Sequence, residues 1–162
     1  MPVARAALVS AQPGLTALTS ITHGPDGWLA IGPRGPVGYT SADGTTWHPA
    51  PAQIITGLGH PVAVAAAAGP AGYAIGGKVI APGGSCVADV WWSPDLIHWT
   101  HAHDVNDATG SSQVLSVAAD SRGFISAGSH DGQPASPAHV WRAPRSRGFQ
   151  AASALTSIPP AM

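Results

Sequence analysis

An internal repeat constrains the fold of this chain more than any other feature of its sequence. Three segments share a turn that contains glycine and ends on an aromatic residue, and a second glycine follows each aromatic residue by four positions. The aromatic residues are Trp28, Tyr73 and Phe124, and the glycines that follow them are Gly32, Gly77 and Gly128. Because each copy of a segment repeated along a chain usually builds one supersecondary unit, we expect tandem units that pack on their neighbours.

A second motif recurs in the same order. Residues 41–47 and 93–99 both read Ser-x-Asp-x-x-x-Trp, with Ser41, Asp43, Gly44 and Trp47 in the first copy and Ser93, Asp95 and Trp99 in the second. The third copy is degenerate, with Ala143, Arg145 and Phe149 at the matching positions. Because the second copy lacks the glycine that adopts a positive φ without steric cost, we expect its turn to be the weaker one.

Each unit reads as four short strands bounded by turns rich in Gly, Pro and Asp. The first strands are predicted at 15–22, 62–68 and 114–119, and the second strands at 28–31, 73–76 and 124–127. The third strands are predicted at 37–40, 87–92 and 139–142, and the fourth begin at Trp47, Trp99 and Phe149. The alanine-rich segment 62–68 is too short for a stable isolated helix, so we predict a strand there as well.

Tandem four-stranded units of this size predict an all-β fold, a β-propeller-like series of about three antiparallel blades that form an incomplete ring. Adjacent strand residues point to opposite faces, so Trp91 and Trp92 should each face a different neighbouring blade. A β-sandwich in which the repeats are coincidental is the least favoured alternative.

The repeat also predicts the organisation of the chain. Residues 1–14 are interpreted as a remnant strand or a disordered lead, and residues 15–158 as one tandem-repeat domain. Its blades span about 15–50, 60–102 and 113–152, residues 154–158 repeat 17–21 and start a fourth, and 159–162 form a tail. Three blades would leave two outer faces uncovered, which predicts either a truncated product or self-association of two arcs into a six-bladed ring.

Residues 41–47 resemble an Asp-box, the bacterial neuraminidase repeat of sialidase-like β-propellers, and residues 93–99 resemble a variant without the central glycine. The resemblance implies a hairpin between the third and fourth strands of a blade, at the periphery and away from the central site. The residue types agree with such a turn, because Asp43 and Ser41 can accept backbone N–H groups across it. The resemblance therefore implies a structural role for this turn and says little about activity.

The resemblance does not extend to the family's chemistry. Sialidases use an arginine triad, an Asp acid and a Tyr that a Glu activates, but this chain contains no Glu, and Tyr39 and Tyr73 fall in predicted strands. An ordinary glycosidase needs two opposed carboxylates, and no spacing singles out a pair of Asp residues. We therefore predict no enzymatic activity, with a fragment of a glycoside hydrolase whose catalytic residues lie outside this chain as the alternative.

The predicted function is that of a non-catalytic binding or scaffolding module that uses the loops of its blades. The second and third units carry longer predicted loops, at 78–88 and 129–138, and long loops on a rigid scaffold are common recognition sites. A carbohydrate, a protein and a second copy of the chain remain open as ligands, and tolerated insertion without a role is an equally good explanation of the loops.

Charge and composition exclude several other classes. The chain has a net charge of -1 and only 9% charged residues, so it lacks the basic surface that a nucleic-acid partner requires. Its longest apolar run is far shorter than a membrane span. The single Cys86 excludes an internal disulfide, and no cofactor motif is present. The compartment stays open: no signal peptide is recognised, and a secreted full-length parent is one alternative.

A polar segment after the second box contains weak candidates for metal ligands. His101, His103 and Asp104 lie close together, and His101 and His103 would share one face of a strand. The spacing matches no known zinc motif, so a polar linker between blades is the favoured interpretation and no metal site is predicted.

Overall fold

The structure is a computed structural model that describes residues 17–32, 38–50, 59–101, 111–131 and 139–144. These residues form strands and turns, and none of them lies in a helix. The all-β class predicted from the sequence is therefore confirmed. The predicted remnant strand at the start of the chain, the start of a fourth unit at 154–158 and the tail at 159–162 lie outside the described residues.

The described strands form three antiparallel sheets, each made of strands that are consecutive in the sequence. The first sheet contains β1 (Ser20–Gly24), β2 (Gly27–Ile31), β3 (Gly38–Ser41) and β4 (His48–Pro49). The second contains β5 (His60–Gly69), β6 (Gly72–Ile80), β7 (Cys86–Ser93) and β8 (Thr100–His101). The third contains β9 (Ser111–Asp120), β10 (Gly123–Asp131) and β11 (His139–Pro144). The strand predicted to begin at Phe149 lies outside the described residues.

The predicted loop at 78–88 is wrong, because most of it continues the ladder between β6 and β7. Ile80 pairs with Cys86 and Lys78 pairs with Ala88, which leaves residues 81–85 as the turn. The backbone N–H of Ala81 closes this turn by donating to the carbonyl of Ser85 at 2.9 Å. Apolar residues on both sides of the turn favour strand pairing over an irregular loop, and Cys86 therefore begins a strand.

Other strand boundaries also differ from those predicted, and the fourth strands begin at His48 and Thr100, one residue after Trp47 and Trp99. Strand β10 runs on to Asp131, so the predicted loop at 129–138 begins later than expected, and its residues 132–138 lie outside the described residues. In the first unit β1 begins at Ser20 instead of position 15, because its partner β2 ends at Ile31, which pairs with Ser20.

The second sheet packs between the other two. Trp91 is 1% exposed and lies in a cluster with Leu29 and Ile31 of the first sheet. Trp92, the next residue along β7, packs against a cluster that contains Phe124 of the third sheet. The prediction that the two indole rings face opposite neighbours is therefore confirmed.

Strand β5 shows why the alanine-rich segment is a strand. It contacts β1 and β2 of the first sheet and β9 of the third. Ala63 is buried in the cluster shared with the first sheet, and Ala67 is buried beside Phe124 on the opposite side. Small side chains let both neighbouring sheets approach β5 closely, so tertiary packing overrides the helical preference of alanine.

The repeated glycine of each unit has a common structural cause. A Cβ atom on Gly77 would overlap the carbonyl oxygen of Val62, fifteen positions earlier in the chain. The same relation links Gly32 to Ala17 and Gly128 to Gln113. The ladders that contain Gly77 and Gly128 change register at or beside this point, as at a β-bulge, where two backbones approach closely.

Hydrogen bonds join the sheets where their edges meet. The hydroxyl of the fully buried Tyr73 accepts from the N–H of Asp26 at 2.7 Å and donates to the carbonyl of Gly27 at 3.1 Å. Burial raises the pKa of Tyr73, which keeps the donating proton in place. Ser112 Oγ of the third sheet likewise accepts from the N–H of Ala88 in the second at 2.9 Å.

Candidate functional site

The first Ser-x-Asp-x-x-x-Trp turn connects β3 to β4 and is held by one carboxylate oxygen. Asp43 Oδ1 accepts from the N–H groups of Thr45 and Thr46, both at 2.8 Å, and from Ser41 Oγ at 3.1 Å. Ser41 Oγ in turn accepts from the N–H of Gly44 at 2.9 Å. Gly44 has a φ of 74°, and a Cβ there would lie 3.3 Å from Nε1 of Trp28.

The second turn connects β7 to β8, and its aspartate accepts from the equivalent groups, whereas Ser93 Oγ accepts from the N–H of Asp95 at 3.3 Å. Asp95 Oδ1 accepts from the N–H groups of Ile97 at 2.9 Å and His98 at 2.8 Å, and from Ser93 Oγ at 3.3 Å. Oδ2 of Asp95 adds a contact that the first turn lacks, with Nδ1 of His98 at 2.7 Å.

The expectation that the second turn is the weaker one stays a prediction, and the structure shows how the turn forms without the glycine. Leu96 occupies the position of Gly44 and adopts the same left-handed conformation, with a φ of 65°. A residue with a Cβ pays a steric cost there. The Leu96 side chain is buried in the cluster that contains Trp91, and its carbonyl accepts from Nε1 of Trp99 at 3.1 Å. The left-handed leucine is thus enclosed by core packing and lies beside a hydrogen bond of the same turn.

Backbone hydrogen bonds make both turn carboxylates unusually acidic. The N–H groups of Thr46 and Thr45 hold the pKa of Asp43 well below its ordinary value, and the N–H of His98 is the main cause of the same lowering of the pKa of Asp95. The folded state therefore favours the charged carboxylates. This contribution to stability is complete above the pKa of an unfolded Asp, about 3.9, and is lost as the pH falls below it.

We expect an Asp43→Ala/Asp95→Ala double variant to melt several degrees below the wild type at neutral pH, because two turns lose their acceptors. Its melting temperature should also fall less steeply than that of the wild type between about pH 5 and pH 2.5. Asp43→Asn/Asp95→Asn, which keeps an acceptor oxygen but cannot titrate, should share the shallow pH dependence with a smaller loss at neutral pH. Parallel curves for all three proteins would contradict this account.

The described residues also contain a buried carboxylate-imidazole pair, Asp89 of β7 with His101 of β8. Oδ2 of Asp89 contacts Nε2 of His101, and Oδ1 accepts from the N–H of Val90 at 2.9 Å. Asp89 is 3% exposed. His101 stacks on Trp91, its cross-strand partner, with ring centroids 6.0 Å apart. The pair therefore lies on the face of the second sheet that packs on the first.

This geometry makes His101 a cross-strand link. Its Nε2 is engaged by Asp89, and its Nδ1 is buried, so neither ring nitrogen is presented to solvent. Within the described part of the chain, no group of three or more His, Cys, Asp or Glu side chains could hold a metal ion. The other two weak candidates, His103 and Asp104, lie outside the described residues.

His101→Ala should destabilise the protein by about 1–3 kcal/mol, because a buried carboxylate loses a charged or hydrogen-bonded partner. Asp89→Ala/His101→Ala should be destabilised by less than the sum of the two single variants, since the removal of both partners leaves no carboxylate behind. Urea unfolding of the four proteins measures this coupling. A melting temperature that Zn²⁺ raises in the wild type but not in His101→Ala would instead show a metal site.

Sequence reasoning missed Asp89 and its contact with His101. Residues 87–92 read as a strand with Asp89 as its one charged residue, and a lone acid inside an apolar strand signals a buried partner. The partner lies twelve positions later, on a strand of two residues, and the register between β7 and β8 could not be read from the sequence.

The strands alternate in direction, so each sheet has two distinct ends. The turn end carries the short β1–β2, β5–β6 and β9–β10 turns and both Ser-x-Asp turns. The opposite end carries the β6–β7 turn, where residues 82–85 are exposed.

No protein-family model, curated protein or solved structure matches this chain. The described part holds no helix with the length and apolarity that a membrane crossing requires.

Proposed function

We propose that this chain is a non-catalytic module of β-propeller type, whose three sheets act as blades, and that it binds or scaffolds a partner. The observation that carries the proposal is the repeated packing of one sheet face on the next. Leu29 and Ile31 of the first sheet pack on Tyr73, Ile75 and Trp91 of the second. On the other side of the second sheet, Ala74 packs beside Phe124 of the third. Successive sheets that stack through equivalent strands are typical of propeller blades.

Binding is assigned to the end opposite the Ser-x-Asp turns. At the turn end the polar groups of Asp43 and Asp95 are engaged within their own turns. At the opposite end the β6–β7 hairpin projects an exposed turn at residues 82–85 from a strand pair whose inner residues are buried. A rigid hairpin with an exposed tip favours recognition, because little conformational entropy is lost when a partner binds.

The absence of Glu and the engagement of Asp43, Asp89 and Asp95 in structural contacts support a non-catalytic role. Each of these carboxylates already accepts hydrogen bonds that hold a turn or a strand pair. A general acid needs a carboxyl group with a raised pKa, whereas the pKa values of Asp43 and Asp95 are lowered.

An oligosaccharide array that includes sialylated and neutral glycans, paired with assays on a sialoside and on aryl glycosides, tests the proposal. We expect binding without turnover. Replacement of residues 81–85 by Asn-Gly should weaken binding at least tenfold, whereas Asp43→Asn at the other end should leave it unchanged. Turnover that a single Asp substitution abolishes would overturn the non-catalytic role. Failure of every glycan to bind would contradict a carbohydrate ligand.

A further inference from the structure

The two sheet junctions share one contact between first strands. Strand β1 packs on β5, and β5 packs on β9, so the first strand of each unit contacts the first strand of the next. In the first junction the contact includes a hydrogen bond, because Ser20 Oγ accepts from the N–H of Ala66 at 3.2 Å. Each first strand therefore has one surface for the preceding unit and one for the following unit.

Strand β5 packs on the preceding unit through one of its surfaces, and the equivalent surface of β1 is exposed. The strand pairings place Ile21 and His23 where β5 has Ala66 and Ala68, which pack against the cluster shared with the first sheet. Ile21 is 57% exposed, and His23 is exposed as well. Ala30 and Tyr39, farther across the same face, are buried, so the exposed apolar area is centred on β1.

Strand β5 packs on the following unit through its other surface, and the equivalent surface of β9 is exposed. Leu115 and Ala118 stand where β5 has Val64 and Ala67, and Ala67 is buried against the third sheet. Leu115 is 49% exposed, and Ala118 is exposed. Leu115 and Ile21 are two of the exposed large apolar side chains among the described residues, and they mark opposite ends of the stack.

A polar group on each exposed strand repeats the hydrogen bond of the first junction. Ser116 of β9 occupies the position of Ser20, and Ile21 of β1 occupies the position of Ala66. A second copy of β1 placed on β9 would therefore bring the Ile21 N–H to Ser116 Oγ, as Ala66 is brought to Ser20. Neither strand carries a Lys, Arg, Glu or Asp among residues 20–24 and 115–119 to oppose burial.

We propose that two copies of this chain associate head to tail, with β9 of each copy packed on β1 of the other through Leu115, Ser116 and Ile21. The chain carries both halves of the junction, so a second copy satisfies both exposed strands at once. Such a contact is heterologous and must close or grow into a filament. Two copies supply six sheets of described residues, within the four to eight blades of known propellers, and the nine from three copies would exceed that range. Closure at two copies thus rests on the proposed function.

Light scattering coupled to size-exclusion chromatography tests the proposal on the full chain. The wild type should have twice the chain mass of 16.2 kDa. Ile21→Asp and Leu115→Asp should each raise the dimer dissociation constant at least tenfold, because each buries a charge in an apolar contact. Ile97→Asp is the matched control, since Ile97 is 60% exposed but lies in the second Ser-x-Asp turn, and it should remain a dimer.

Mixing tests the head-to-tail direction. Ile21→Asp keeps an intact β9 and Leu115→Asp keeps an intact β1, so the two variants should form a mixed dimer with one sound junction. Far-ultraviolet circular dichroism checks that both variants fold. A monomeric wild type at millimolar concentration, a concentration-dependent filament, or equal disruption by Ile97→Asp would overturn the proposal. None of these results bears on glycan binding or turnover, which decide the proposed function separately.

Discussion

Replacement of Trp91 by alanine should lower the free energy of unfolding by about 3–5 kcal/mol, the range for truncation of a large buried aromatic side chain. Trp91 lies at the junction of the first and second sheets, in one cluster with Leu29, Tyr73 and Leu96. Its ring also stacks on His101, so its loss removes support from the Asp89 pair. Urea unfolding followed by circular dichroism measures the change.

The neighbouring Trp92→Ala is the matched control for this substitution. Trp92 is half-buried on the opposite face of the same strand, and its Nε1 donates to the carbonyl of Ala71 at 3.2 Å. Because less apolar surface returns to water, the loss should be about 1–2 kcal/mol. Equal losses for the two variants would contradict the difference in burial. A larger loss for Trp92→Ala would mean that the main core lies between the second and third sheets.

The repeat made most of the fold predictable, because its spacing reports backbone geometry. The aromatic residue after each short turn is the second residue of the second strand, and the glycine four positions later marks the close approach of the backbone fifteen positions earlier in all three units. The adjacent Trp91 and Trp92 predicted a sheet with a neighbour on each side, since alternation along a strand is independent of tertiary detail. These signals are local or periodic, and a single sequence carries both.

Features that depend on register or on packing between distant residues were not predictable. The absence of glycine at Leu96 predicts a weaker turn, which stays a prediction, but the burial of that leucine in the core could not be read from local residues. The contact between His101 and Asp89 depends on the register of β7 and β8, which the sequence does not report. The long hairpin at residues 78–88 was predicted as a loop, although Pro82, Gly83 and Gly84 mark a tight turn, because the extension of the two strands toward that turn was not recognised.

The second sheet has one buried polar contact within it and another that joins it to the first sheet. The Asp89 pair links β7 to β8 within the sheet, whereas the Tyr73 hydroxyl links it to the β1–β2 turn of the first. The second sheet is thus held by packing on both faces and by polar contacts at its edges, which predicts that its amides exchange most slowly with solvent. The same position makes it the sheet least able to relax around an added atom.

Gly77→Ala is therefore expected to lower the free energy of unfolding by about 3 kcal/mol, the upper end for overpacked interiors. The added methyl group would meet the backbone carbonyl of Val62, which cannot rotate away as the end of a side chain can. Relief requires β5 to move, yet β5 is enclosed by β1 and β9. Urea unfolding measures the loss, and hydrogen exchange should show faster exchange at Val62 and Ala63.

Gly83→Ala is the control, because Gly83 lies in the exposed β6–β7 turn and a Cβ there would meet nothing within 4 Å. It should change stability by no more than about 0.5 kcal/mol. Gly128→Ala probes the equivalent contact with Gln113 in the third sheet. Its loss should be similar to that of Gly77→Ala, because the added methyl group would meet a backbone carbonyl there as well. A Gly77→Ala protein as stable as Gly83→Ala would mean that the glycine spacing of the repeat does not mark a close backbone approach.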